Sequence, residues 1–260
     1  MSDQSYTLTG NLLVWGLISG TLLSYLPQYI KIYNSKSTKG ISETTIIFGI
    51  YSCMFNTIGT VQEDYKNIYN CHTNNNCYNT IIPIIQLTAP GLCIITLYLF
   101  YIYFSKNPED RIILNSSIKF KYKFILKRAK FHFVINSILI ISAILNIINS
   151  NYNTIKNVGK IYNLISVVFS LIMWLPQIYT TFILKTDYSL SLLALSIHSF
   201  GCFITVFYQY FISHQSILVI LNYIVGGICE AIIVFIVYYY RKIKVNTFPP
   251  AYNNLDYTTL

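Results

Sequence analysis

Two kinds of side chain here could do chemistry in an apolar setting: the titratable pair His198 and Glu230, and the amides Gln86 and Asn222. A histidine titrates at about pH 6.5 in water, so His198 suits proton exchange with an acidic compartment. It could equally stay neutral on a neighbouring hydroxyl, Ser196 or Ser199. Glu230 is the one acid deep in an apolar stretch, and it can take a proton, pair with a cation or balance His198. Gln86 sits in IIQLTAPGLC and Asn222 in ILNYIVGGIC, two segments that match each other. Polar groups inside a membrane are costly to bury and are functional candidates by default. Both amides are therefore expected to contact substrate, with helix–helix bonding as the competing role.

These groups must be positioned by long apolar elements. Of 260 residues, 54% are hydrophobic and 10% charged, well below the roughly 25% charged residues of soluble domains. Charge-free runs predict seven membrane helices at about 10–32, 42–61, 81–104, 131–150, 160–184, 189–211 and 216–240. The first continues into a basic turn and reads as a retained helix, not a signal peptide. Fifteen of the 18 Lys and Arg residues then fall on one side, leaving Lys66, Lys156 and Lys160 opposite. By the positive-inside rule the N-terminus is luminal and the C-terminus cytosolic. The net charge of +9 is thereby assigned to membrane topology, and no nucleic-acid partner is expected.

The chain also repeats itself. SYLPQYIKIYNSKSTKGIS (24–42) and WLPQIYTTFILKTDYSLS (174–191) share Pro, Gln, Lys and the final Ser at an offset of 149 residues. The same offset superposes Cys53 on Cys202. The expected organisation is an all-α membrane protein of two parallel three-helix repeats joined by one helix. Its parts are a luminal N-terminus (1–9), a first repeat (10–104), a basic cytosolic loop (105–130), a linker helix (131–150), a second repeat (151–240) and a cytosolic tail (241–260). Proline removes a backbone donor and bends a helix. Pro27 and Pro176, with Pro90 as a third bend, are therefore expected to act as hinges. Gln28 and Gln177 would supply hydrogen bonds to freed carbonyls or to a facing helix as the helices swing. Alternatively, the prolines end helices at the interface. Tyr25 and Trp174, just before the two doublets, could gate a pore or anchor at the interface.

Paired Pro-Gln doublets, each followed by a basic turn and Ser, resemble the PQ-loop repeat family. That family includes cystinosins, lysosomal and vacuolar basic amino-acid exporters and, more distantly, SWEET sugar carriers and KDEL receptors. The resemblance implies a carrier of a small polar solute, foremost an amino acid, in a lysosomal or vacuolar membrane, with possible proton coupling. A sugar uniporter or a non-transporting receptor of the same fold are the alternatives. In SWEETs an asparagine pair lines the substrate site, and Gln86 and Asn222 resemble that pair. Cystinosin-like members place a proton-accepting aspartate where this sequence has His198, a departure that leaves a titratable group.

Cys71 and Cys77, in CHTNNNC, fall on the oxidising side and are disulfide candidates. The other four cysteines read as small apolar residues. No metal set, cofactor motif or nucleophile–base constellation is visible, so no enzyme is expected. Tyr257 to Leu260 has the form of an endolysosomal sorting signal, implying adaptor proteins. Pro249, Pro250 and Tyr252 form a WW-domain ligand pattern. Lipid and a small-molecule substrate are the other expected partners, together with a possible homo-oligomer.

Overall fold

A computed structural model describes residues 8–70, 77–105, 118–184 and 190–247. Among them it contains eight helices and no strand: α1 (Leu8–Ser35), α2 (Glu43–Glu63), the short α3 (Tyr65–Tyr69), α4 (Cys77–Phe104), α5 (Ile118–Asn149), α6 (Tyr152–Leu184), α7 (Leu192–Phe211) and α8 (Ile217–Thr247). Many residues are β-branched isoleucines, which favour helices only weakly in water. In hydrocarbon, however, each backbone group must be satisfied within its own segment, and the helix does this.

Six helices, α2 and α4 to α8, contain stretches long and apolar enough to cross a membrane. The protein is thus a multi-pass helical membrane protein. The 28-residue α1 is not among the six. Its Gly16, Gly20, Thr21, Ser24 and Gln28 line an internal cavity, which lowers its hydropathy without shortening it.

The helices pack as a closed ring in the order α1, α4, α2, α6, α8, α7 and back to α1. Under the 149-residue offset α1 corresponds to α6 and α2 to α7, while α4 corresponds to α8 through the second sequence match. In each trio the third helix therefore lies between the first two. The trios meet where the second helix of one touches the first of the other, at α2–α6 and α7–α1. Local contacts repeat as well. A Cβ on Gly91 would lie 3.3 Å from the Cβ of Cys53, and one on Gly227 would lie 3.1 Å from the Cβ of Cys202.

Helix α5 stands outside the ring against α2 and α4. It shows Phe131, Phe133, Ile138, Ile141 and Ile148 on its surface, as expected of a face bathed in lipid. It starts at Ile118, inside the segment expected to be loop (105–130), and that boundary is corrected accordingly. The helix continues past the apolar stretch because polar surroundings do not forbid helix. Arg128 then pairs with Glu43 of α2 at 2.6 Å. The α2–α6 contact is the tightest seam: a Cβ on Gly159 would meet the Gly59 carbonyl oxygen at 2.8 Å.

Candidate functional site

The ring encloses a cavity of about 370 Å³ lined by residues of α1, α2, α4, α6, α7 and α8. That size falls within the roughly 300–1,000 Å³ typical of small-molecule sites. No described residue of helix α5 lines the wall. The lining is mostly apolar, and the polar exceptions come from both trios.

Helices α7 and α8 bring His198 and Glu230 together, with Nδ1 2.6 Å from Oε1. Glu230 is buried, and its Oε2 has no hydrogen-bond partner among the described residues. Tyr25 of α1 packs edge-on against the His198 ring, centroid to centroid 5.3 Å, so the first trio reaches the titratable pair of the second. The sequence left His198 a choice between a hydroxyl and an acid. Here the acid is the partner, while Ser199 Oγ donates to the Gly227 carbonyl at 2.8 Å. Cys202, one turn beyond His198, places Sγ 3.9 Å from the same Nδ1. The ligating atoms of His198, Cys202 and Glu230 all lie within 4.8 Å of one another, a trio that could hold a metal ion.

Gln86 and Asn222 both line the cavity, yet their bonding differs. Buried Gln86 accepts from Gln209 Nε2 at 3.0 Å, tying α4 to α7 across the two trios. Asn222 Nδ2 donates to Ser166 Oγ at 2.9 Å, and its Oδ1 has no partner among the described residues. Ser166 in turn donates to the Ser52 carbonyl at 2.7 Å, and Ser52 Oγ donates to the Ser166 carbonyl at 3.1 Å. This reciprocal pair joins α2 to α6 near the middle of both helices.

Pro27 lies inside α1, Pro176 inside α6 and Pro90 inside α4, where Pro83 is a further internal proline. None of them ends its helix, so the reading of these prolines as helix ends at the interface is corrected. The two glutamines reach across to the opposite trio. Gln28 Oε1 accepts from the backbone N–H of Ser191 at 2.6 Å. Gln177 Oε1 accepts from the backbone N–H of Ser42 at 2.9 Å, and its Nε2 donates to the Gly40 carbonyl at 2.9 Å. Ser42 and Ser191 are the N-cap residues of α2 and α7, each hydroxyl accepting from a first-turn amide. Tyr25 and Trp174 both line the cavity, and Trp174 is buried, so neither is a surface anchor.

The spacing argument passed over Asn56 and Gln209, and it paired Cys202 with Cys53 without giving either a role. Asn56 superposes on Thr205 at the same 149-residue offset, and both line the cavity, so that signal was available. The pairing of Cys71 with Cys77, the Tyr257–Leu260 motif and the Pro249, Pro250 and Tyr252 pattern lie outside the described residues.

Residues 9–69 match the family model of the PQ loop repeat. A comparison with curated proteins yields no match.

Proposed function

Taking the PQ loop repeat at residues 9–69 as premise, we propose that this protein is an alternating-access carrier of a small polar solute, foremost an amino acid. The observation that carries the reading is the cavity itself. It lies at the seam of the two trios, and both contribute buried oxygens with no protein partner among the described residues, Asn56 Oδ1 from one, and Asn222 Oδ1 and Glu230 Oε2 from the other. Buried polar atoms are normally paired, so these three await a hydrogen-bond donor. An ammonium group supplies donors and a charge that suits Glu230. A neutral sugar would bring donors without a charge, so the carboxyl in the cavity wall supports the amino acid over the sugar.

In this reading α1 is the seventh span, α5 the linker of a three-plus-one-plus-three arrangement, and Gln86, Asn222 and Glu230 meet the cargo. Pro27, Pro90 and Pro176 bend as the trios rock, while Gln28 and Gln177 hold the cytosolic end shut. The basic residues support a cytosolic position for that end, and the tail motif supports an endolysosomal or vacuolar membrane. The narrower form, in which protons accompany cargo, is supported by the contact between His198 Nδ1 and Oε1 of Glu230, where one proton can sit between the two atoms.

Proteoliposome flux tests the proposal. Saturable uptake of labelled lysine, arginine or cystine, lowered at least tenfold in Asn222→Ala, is expected. Glucose flux without amino-acid flux would replace the reading with a sugar uniporter, and cargo binding without flux would replace it with a receptor.

A further inference from the structure

We propose that His198, Cys202 and Glu230 form a binding site for a borderline-soft divalent cation of the zinc class. The site goes beyond solute transport and does not depend on it. His198 and Cys202 are four residues apart on α7 and so share one face of that helix. Glu230 comes from α8, and all three ligating atoms lie within 4.8 Å of one another.

Zinc binds sulfur at about 2.3 Å and nitrogen or oxygen at about 2.0–2.2 Å, so tetrahedral ligands sit roughly 3.3–3.8 Å apart. The Cys202 Sγ to His198 Nδ1 separation of 3.9 Å lies just above that range and needs to close by only a few tenths of an ångström. The 2.6 Å contact between Nδ1 and Oε1 must widen by about 1 Å, a shift within reach of carboxylate rotation. The same ring nitrogen faces both partners, so a cation entering there needs no ring flip.

A second observation points to a cation. Glu230 is 2% exposed, and its Oε2 lacks a hydrogen-bond partner among the described residues. A buried carboxylate with an unused oxygen retains acceptor capacity that a cation would use. The surroundings hold the ligands in place. Gly227 lets α8 approach Cys202 closely, the bond from Ser199 to the Gly227 carbonyl locks the two helices, and Tyr25 packs against the imidazole. Three protein ligands leave a fourth position, which the cavity can fill. Imidazole and thiolate together select zinc-like ions over magnesium and calcium. On binding, the thiol releases its proton to solvent, and so does the hydrogen bond between Nδ1 and Oε1.

Full-length protein in detergent is titrated with Co²⁺ as a spectroscopic probe. The proposal predicts one Co²⁺ per chain with a sulfur-to-metal charge-transfer band, removed by Zn²⁺ and unaffected by Mg²⁺. Cys202→Ser abolishes the band, whereas Cys229→Ser keeps it. His198→Ala and Glu230→Gln remove direct ligands and weaken binding on the order of a hundredfold or more, since loss of an outer-shell partner alone costs about 10–100-fold. X-ray absorption of the zinc-loaded wild type needs no variant and is expected to show one sulfur among nitrogen and oxygen ligands. Absence of Co²⁺ binding, a band surviving in Cys202→Ser, or a zinc shell without sulfur would each overturn the proposal.

Discussion

The side-chain oxygen of Gln28 accepts a hydrogen bond from the backbone N–H of Ser191, 163 residues away and in the opposite trio. Gln177 makes the counterpart bond to Ser42. Each glutamine thus holds the residue that caps the other trio's second helix, and the two bonds form a symmetric tie between the halves. Lys31 strengthens one side by donating to the Leu190 carbonyl at 2.7 Å.

Cutting this tie loosens one end of the protein. A buried N–H left unpaired costs about 1–3 kcal/mol. Gln28→Ala combined with Gln177→Ala is expected to lower thermal stability in detergent. It is also expected to speed maleimide labelling of a Ser191→Cys reporter, which is buried in the intact protein. Unchanged labelling would show that the tie does not hold that end closed.

The α2–α6 seam has no room for a methyl group. Gly159→Ala pushes a Cβ to 2.8 Å from the Gly59 carbonyl oxygen, and overpacking of this kind costs about 1–3 kcal/mol. Gly20→Ala meets nothing within 4 Å and is expected to fold like the wild type. Thermal unfolding of the two variants side by side checks the contrast.

Gln86 and Asn222 are expected to separate in their effects. Gln86→Ala strands Gln209 between the trios, so it lowers stability by about 1–3 kcal/mol and reduces flux with it. Asn222→Ala leaves the Ser52–Ser166 pair intact and lowers flux with a smaller stability loss. Measuring unfolding and uptake on the same preparations decides whether the two positions are interchangeable.

Asp64, just past the end of α2, carries a pH signature. Burial, and then the charge of Glu63, hold its carboxyl above the usual range near 4. The folded state therefore binds this proton more tightly than the unfolded chain does. Stability contributed by Asp64 is present in acid and declines as pH rises from the ordinary carboxylate value through the raised one. Asp64→Asn is expected to flatten that part of the stability profile, measured by unfolding across the window.

The repeat, the doublets and the recurring serines were legible in the sequence because each is a local pattern copied at a fixed offset. What the glutamines bind was not, since a bond from Gln28 to Ser191 depends on how two trios face each other. Hydropathy marked where apolar surface ends, not where helix ends, so the basic start of α5 read as loop. Charge-free runs nonetheless marked α1, although its small and polar residues face the cavity. Cys202 read as an apolar filler because its meaning comes from Glu230, 28 residues away on another helix. Only its place one turn after His198 hinted at more.

The most direct test asks whether the space between the trios is reached from each side of the membrane in turn. A single cysteine at Asn222, in a background without the native cysteines, is exposed to a membrane-impermeant thiol reagent in vesicles of known orientation. The account predicts labelling from either side, with cargo slowing both reactions. Labelling from neither side would mean a sealed and dry seam, and would contradict it.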